Sequence, residues 1–408
     1  MLQSRTTIGS VVSSFGWLDT DNEQRRKMLE VVDLFKEEGT VDELGIGSIR
    51  DAFADALFPG TSVLQTRLRY VLFIPWLMQE ATKGNRTSNE MSARFRDNEL
   101  QLIYALDQGE EKLGVIGNTA RAKLKRMPSS MYWAAMGTWG IRNTDLSPNA
   151  YFRRQYDYRR LADRTARADD PEARDLLLNN DLDPHLPAAP AGLLGKTSFE
   201  LRPEEEQYLS DRISASKADS MLAWLIRNEP GNLPDYVWQV DNVGEAPEQL
   251  QDLIDHARRF HTVIYGAAAL YNLLLARKSH RDDLVAEYEK AIENWRGEVH
   301  ATNALDGWNR SDWWAKVQQC NPRLRQATKT FVNSWIDLTI SDIDLANDPT
   351  AIALINNRER QIKGGRARLI NQAALDRWSG QSGLSRLDYR WSVARRHLRD
   401  LYAARHAA

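Results

Sequence analysis

The sequence predicts a mainly α-helical fold, with many helices in a two-part architecture and little strand. Apolar residues recur at three- and four-residue spacing along most of the chain, which is the pattern of helices with one buried face. No strong β-hairpin signal interrupts this pattern. A chain of 408 residues, with 42% hydrophobic and 27% charged residues, is long enough for two or three folded domains.

Capping residues and periodicity place the helices along the chain. The first helix is expected at residues 19–39 and the second at 48–58. The third, at 63–80, contains Pro75, which should kink or end it. Pro128 fits the first turn of the helix that follows the basic residues near 121–126. Further helices are expected at residues 91–105, 149–167, 202–214, 215–228, 247–279, 283–295, 322–340, 369–378 and from 389 onward.

A stretch rich in proline and glycine, residues 181–195 (DLDPHLPAAPAGLLG), predicts a boundary between two domains. Its three prolines and two glycines oppose regular structure. The N-terminal helical domain would cover residues 1–180, and the C-terminal helical domain would cover residues 196–408.

Composition excludes several functional classes. Cys320 is the single cysteine, so neither a disulfide framework nor a thiolate metal site is expected. The histidines are too scattered to suggest a metal site, and the common hydrolase, zinc-protease and nucleotide-binding motifs are absent. We therefore expect no cofactor and favour a protein that is not an enzyme. No apolar run reaches the roughly 20 residues of a membrane span, and no secretory signal is evident, so a cytoplasmic location is expected.

Charge is segregated along the chain. Residues 115–170 contain eleven Lys/Arg and five Asp/Glu, a net charge of +6, and residues 351–408 contain twelve and four, a net charge of +8. Because the whole chain has a net charge of −2, the remainder carries −16. Such asymmetry is typical of anion-binding surfaces, although each basic run can also be a solvated helix face.

The first basic segment combines a dense cluster of cations with a helix that carries tryptophans. We predict a helix-turn-helix-like arrangement, in which one helix ends in the cations and a short turn leads to the helix from Pro128. The following helix, 149–167, interleaves arginine with tyrosine, a combination that suits nucleic acid. The alternative is an exposed face stabilised by Asp157 and Asp163. The candidate nucleic-acid contacts are Arg121, Lys123, Lys125, Arg126, Arg142, Arg153, Arg154, Arg159 and Arg160.

The second basic segment surrounds the Gly364-Gly365 pair. Backbone amides at such a break can receive a phosphate, and flanking cations would add charge. The candidate contacts here, to DNA or to a partner, are Arg360, Lys363, Arg366 and Arg368.

Arg67 and Arg69 lie within a predicted apolar helix. They either face a phosphate or, as we favour, pair with carboxylates such as Asp51 and Asp55 on the preceding helix. Those two carboxylates lie one helical turn apart and could alternatively hold Mg²⁺.

Six segments together resemble a bacterial family of unknown function, DUF6361, over nearly the whole chain. They are FGWL (15–18), GSIRDAF (47–53), FPGTSVLQTRLRY (58–70), PSSMYW (128–133), WGIR (139–142) and KGGRARL (363–369). The family has no activity that transfers a catalytic residue. The resemblance implies a DNA-handling role, because such genes are expected in bacterial defence islands near helicases and phospholipase-D-like nucleases.

Three hypotheses follow for the function. The first is a non-enzymatic, DNA-binding accessory component of a bacterial anti-phage or DNA-processing system, with a helicase or nuclease as a possible partner protein. The second is a scaffold that binds a partner protein in a defence complex. The third is a metal-dependent nuclease that uses the carboxylates of Asp51 and Asp55.

Overall fold

The structure, a computed structural model, describes residues 42–109, 111–166 and 181–407. These residues form fourteen α-helices, four single turns of 3-10 helix and one isolated β-bridge, between Arg142 and Leu182. The fold is therefore mainly α, as predicted. The helix predicted at residues 19–39 lies outside the described residues. No helix among those described is both long and apolar enough to cross a membrane.

The helices are numbered here in chain order. They are α1 (Gly47–Leu57), α2 (Tyr70–Thr82), α3 (Ser88–Asp107), α4 (Pro128–Thr138), α5 (Pro148–Ala166), α6 (Pro203–Ser216), α7 (Met221–Arg227), α8 (Glu248–Lys278), α9 (Asp282–Ala301), α10 (Arg310–Cys320), α11 (Gln326–Ile340), α12 (Pro349–Lys363), α13 (Gln372–Leu375) and α14 (Trp391–His406).

The long helix α8 organises the core of the C-terminal half. Helices α1, α9, α11 and α12 all pack against it, and most of its residues between Ala257 and Ala276 are buried. Gly266 allows a close approach, since a Cβ there would lie 2.3 Å from the ring of Trp295. The indole Nε1 of Trp295 donates to the carbonyl oxygen of Thr262 at 2.8 Å. Burial of such a large side chain with its polar group satisfied is strongly stabilising.

Helix α2 begins seven residues later than the periodicity predicts. The amides of Thr66 and Arg67 donate to the hydroxyl oxygen of Tyr132, at 2.7 and 3.1 Å, and the amide of Leu68 donates to the carboxylate of Asp400. Because these amides have tertiary partners, residues 63–69 do not continue the helix. Pro75 lies inside α2, near the middle of the helix.

The predicted linker at 181–195 has no regular helix, as its prolines require. It is nevertheless attached to the body of the protein. Leu182 is buried, and the indole Nε1 of Trp76 donates to the carbonyl oxygen of Pro187 at 2.7 Å. The described residues on both sides of the stretch share one hydrophobic core and belong to one compact unit. The division into two domains at this stretch stays a prediction.

A buried ion pair joins the two sides of that stretch. The guanidinium of Arg69 on the N-terminal side donates to Glu205 of α6 at 2.8 Å and to the carbonyl oxygen of Ser198 at 2.9 Å. The Arg69 side chain is 5% exposed and the Glu205 side chain is fully buried. Arg69 is thus structural, as favoured from the sequence, but its partner is Glu205 and not Asp51 or Asp55.

Replacing Glu205 by leucine should destabilise the fold by about 3–5 kcal/mol, because it leaves the buried guanidinium of Arg69 without a counter-charge. The double variant Arg69→Met/Glu205→Leu should recover a large part of this loss, since two apolar side chains need no pairing. Urea unfolding of the three proteins measures both effects. A single variant as stable as the wild type would contradict the structural role of the pair.

His397 of α14 gives a second stability prediction. Both ring nitrogens are buried without a hydrogen-bond partner among the described residues, and the ring centre lies 6.2 Å from that of Trp139 in a T-shaped arrangement. Burial, with Arg396 and Arg67 adding repulsion, lowers the pKa of His397 from 6.5 to about 3. The unfolded chain therefore binds a proton that the folded chain does not, and the contribution of His397 to stability falls as the pH drops from 6.5 toward 3.

The variant His397→Leu should remove this contribution and be more stable than the wild type at pH 5, with a smaller difference at pH 8. Glu99 changes stability with pH in the opposite direction. Burial raises the pKa of Glu99 to about 7, so its contribution to the stability of the fold is lost as the pH rises through 7. Comparing the two proteins at each pH cancels the Glu99 effect. Equal pH dependence of their urea midpoints would refute the assignment.

Candidate nucleic-acid interface

A cation can bind a phosphate only if the fold has not already used its charge. Buried cations in proteins need a counter-charge or several acceptors, whereas exposed cations are neutralised by water and counterions that a phosphate can displace. The structure therefore separates the predicted contacts into two groups, those with protein partners and those that are exposed without one.

The residues around Arg121 do not form the first helix of a helix-turn-helix. Arg121–Lys123 is a single 3-10 turn, and the residues before it form turns. Gly114 and Gly117 have φ angles of +91° and +83°, which glycine adopts readily and which end helical structure. The second predicted helix does form: it is α4, with Pro128 as its first residue. The helix-turn-helix-like prediction was therefore wrong.

Within this basic turn, Arg121 bonds to other described residues, whereas the three cations that follow it do not. The guanidinium of Arg121 donates to Asp107 of α3 at 2.9 Å and lies 5.1 Å from the ring centre of Tyr104. Lys123, Lys125 and Arg126 are exposed, and none pairs with a described residue. Arg121 thus anchors the turn, which presents the next three cations to solvent.

Arg142 is not a surface cation. It is 7% exposed, its guanidinium lies 4.7 Å from the ring centre of Trp133, and it donates to the carbonyl oxygen of Trp133 at 3.3 Å. Burial lowers the pKa of Arg142 below its usual value. The charge is held by the aromatic face, an interaction that contributes about 2 kcal/mol when desolvated. Phosphate cannot reach it in this arrangement.

Helix α5 divides its arginines in the same way. Arg154 pairs with the buried carboxylate of Asp181, and Arg159 donates to the carbonyl oxygen of Gly84 at 2.6 Å. Burial lowers the pKa of Arg159. Arg153 and Arg160 lie two helical turns apart and are exposed. These two side chains are open to a ligand, and the guanidinium of Arg160 lies 5.7 Å from the ring centre of Tyr156.

Helix α3 contacts both elements that carry these exposed cations. Along α3, Asp107 binds the basic turn, and Glu99 accepts from the amide of Ser129 at 2.8 Å. The ring of Phe95 contacts Phe152 of α5 at 5.4 Å. A helix of twenty residues is about 30 Å long. The basic turn therefore contacts the C-terminal end of α3, and α5 packs against α3 near Phe95.

Arg94 and Arg96 of α3 are two further exposed cations without an ion-pair partner in the described chain. They were not predicted as contacts. The signal was present in the sequence, because the buried residues Met91, Phe95 and Leu102 mark the inner face of α3 and leave residues 94 and 96 outside. We call the exposed cations along α3 the α3 basic surface. Its members are Arg94, Arg96, Lys123, Lys125, Arg126, Arg153 and Arg160.

The C-terminal basic segment also divides. Arg360 and Arg366 are exposed and have no ion-pair partner in the described parts of the chain. Lys363 binds Glu43 and Glu359, and Arg368 donates to Glu43 at 2.8 Å. Glu359 is fully buried, but hydrogen bonds from Lys363 and Tyr271 outweigh the effect of burial and lower its pKa. The Glu359 carboxylate therefore stays ionised, and two of the four predicted contacts belong to an internal network.

The carboxylates considered for Mg²⁺ bind an arginine instead. Arg390 donates to Asp51 at 3.2 Å and to Asp55 at 2.5 Å. Arg67, the other arginine considered, is half-buried and pairs with Asp400 of α14 and with Glu111. These pairs use the charges that a divalent cation or a phosphate would need, which argues against the nuclease hypothesis at this position.

Among the described residues, one group has the spacing of a metal site that the sequence did not suggest. Asp252 and His256 lie one turn apart on α8, and Asp312 of α10 lies beside them, with the candidate ligand atoms within 4.8 Å of one another. The indole nitrogen of Trp308, which can only donate, bonds Nδ1 of His256 at 2.9 Å. Nε2 must then carry the proton that it donates to Asp312 at 2.9 Å. A protonated nitrogen is not a ligand, so this geometry favours a hydrogen-bonded network.

Comparison with protein families agrees with the resemblance seen in the sequence. A family model described as a family of unknown function, DUF6361, matches residues 12–405. The chain belongs to DUF6361. The match includes every element from α1 to α13 and nearly all of α14. No curated protein and no solved structure matches this DUF6361 chain, so the geometry of its own residues carries the functional argument.

Proposed function

We propose that this DUF6361 protein is a non-enzymatic DNA-binding component of a bacterial DNA-processing or anti-phage system. The observation that carries the proposal is the α3 basic surface, whose cations are exposed and have no ion-pair partner within the described chain. Lysine and arginine side chains in this state release counterions when they neutralise phosphates, which drives binding to DNA of any sequence. The link to defence rests on the family resemblance alone.

The geometry favours backbone contact over base readout. The helix-turn-helix that would have placed a recognition helix in the major groove is not formed, and α4 is buried along much of its length. The exposed cations lie on a short turn and on the outer faces of α3 and α5. We therefore propose binding to the phosphate backbone with little dependence on base sequence.

The triple variant Lys123→Ala/Lys125→Ala/Arg126→Ala tests this proposal. A labelled duplex, measured by fluorescence anisotropy over a salt series, should bind the wild type with a Kd that rises steeply with salt. Each phosphate contact contributes about 0.9 to the slope of log Kd against log salt, so the variant should lose about 2 to 3 units of slope and bind more weakly.

A charge-matched control is available in Lys290, Arg323 and Arg325, which are also exposed but belong to other elements. Replacing these three with alanine removes the same charge and should leave the slope almost unchanged. Absence of binding by the wild type at low salt would refute the proposal. If a stoichiometric partner protein copurified in that case, the scaffold hypothesis would replace it.

Asp157 provides a test in the opposite direction. It is exposed on α5, between Arg153 and Arg160, where its carboxylate repels a bound phosphate. The variant Asp157→Asn should bind the duplex about threefold more tightly at low salt, and the gain should shrink as salt screens the charge. Weaker binding by this variant would show that DNA does not lie along α5.

A further inference from the structure

A separate cavity of about 430 Å³ lies where α12 meets the loop before α13. Four of the residues that line it are cationic, namely Lys363, Arg366, Arg368 and Arg377, and one, Glu43, is a carboxylate. Ile362 and Ala374 add an apolar wall. Cavities of this size that combine an apolar wall with a few convergent polar groups are typical of small-ligand sites.

A glycine conformation and the side chain of Asn371 fix the loop that forms the cavity. Helix α12 ends at Lys363, and Gly364, with a φ of +56° and a ψ of −132°, turns the chain back over the helix end. The side chain of Asn371 donates to the carbonyl oxygen of Gly365 at 2.8 Å and accepts from the amide of Ala374 at 3.1 Å. These bonds fix the loop backbone that carries Arg366 and Arg368.

Inside the cavity the charges of Lys363 and Arg368 are already balanced. The ammonium group of Lys363 contacts Glu43, Glu359 and the hydroxyl of Tyr271. The ammonium group of Lys363 and the guanidinium group of Arg368 thus face the carboxylates of Glu43 and Glu359. Two cations remain in excess, Arg366 and Arg377.

Three guanidinium groups that line this cavity have donors without a partner among the described residues. All the side-chain hydrogen bonds of Arg368 come from Nη1, so its Nη2 and Nε have no partner among the described residues. Arg377 uses only Nε, which donates to the carbonyl oxygen of Ala373 at 3.0 Å. Arg366 is exposed with no side-chain partner in the described chain. Planar guanidinium groups match phosphate oxygens in pairs.

We propose that this cavity binds the phosphate monoester of a nucleotide, with the nucleoside against Ile362 and Ala374. A phosphate monoester carries about 1.5 to 2 negative charges, which matches the excess of two cations, whereas a backbone diester carries one. The same chemical group occurs on a free nucleotide and at the phosphorylated end of a DNA strand. The site is distinct from the α3 basic surface and does not depend on the proposed function.

Calorimetric titration of the full-length protein with adenosine monophosphate, adenosine and inorganic phosphate tests the proposal. Adenosine monophosphate should bind, and adenosine should bind at least tenfold more weakly. The variant Arg366→Ala/Arg377→Ala should lose at least tenfold in affinity for the monophosphate, and its circular dichroism should be unchanged because both side chains are exposed. Inorganic phosphate as tight as the nucleotide would refute the nucleoside contact with Ile362 and Ala374.

Two controls separate this cavity from general attraction to positive charge. The variant Arg323→Ala/Arg325→Ala removes the same charge elsewhere and should bind like the wild type. Arg281 lies in a neighbouring cavity of about 590 Å³ that also reaches α13, so Arg281→Ala should bind like the wild type as well. If Arg281→Ala lost binding while Arg366→Ala/Arg377→Ala kept it, the assignment to this cavity would be wrong.

A second experiment distinguishes a free nucleotide from a DNA end as the source of the phosphate monoester. A single strand with a 5′ or 3′ phosphate should bind more tightly than the same strand with hydroxyl ends if the source is a DNA end, and Arg366→Ala/Arg377→Ala should abolish the difference. The triple variant at residues 123, 125 and 126 should leave the difference intact, which separates this site from the α3 basic surface. The inference fails if neither the monophosphate nor the phosphorylated strand is preferred over its unphosphorylated counterpart.

Discussion

The requirement that a buried charge be paired governs this structure. Arg67 with Asp400, Arg69 with Glu205, and Lys363 with Glu43 each join residues that are distant in sequence. Breaking such a pair costs more than the pair contributes, because the remaining charge stays in a medium of low polarity. These pairs therefore define which packing of the helices is allowed. They also determine which cations remain available for a partner, so stability and function are settled by the same interactions.

The two basic regions differ in chemical character for this reason. The α3 basic surface is exposed and includes cations on a helix of about 30 Å, and no carboxylate among the described residues forms an ion pair with them. It suits a long polyanion whose charges are spaced along a line. The region around α13 is concave, and a neutral internal network fixes two of its cations. It suits a small, doubly charged group. Similar composition thus produces two cationic regions of different shape.

Helix positions could be predicted well from periodicity, and the exceptions have a physical cause. Helices α5 and α8 were predicted within about two residues of their observed ends, since long segments give the clearest helical periodicity. The start of α2 and the turn at Arg121–Lys123 were not predicted correctly. At the start of α2 the backbone amides have tertiary partners such as the Tyr132 hydroxyl. At the turn, Gly114 and Gly117 adopt conformations that a spacing argument does not read, and the Arg121 side chain bonds to Asp107.

The sequence by itself determined the fold class, the membership in DUF6361 and the presence of two cationic regions, because composition, periodicity and motifs are local properties. Only the tertiary structure decided which cations are free. Arg142 and Arg153 are both arginines in a basic stretch, yet one is enclosed by Trp133 and the other faces solvent. Lys363 and Arg366 are three residues apart, yet only the first meets Glu43. Pairing depends on residues that are remote along the chain, and linear spacing does not specify those distances.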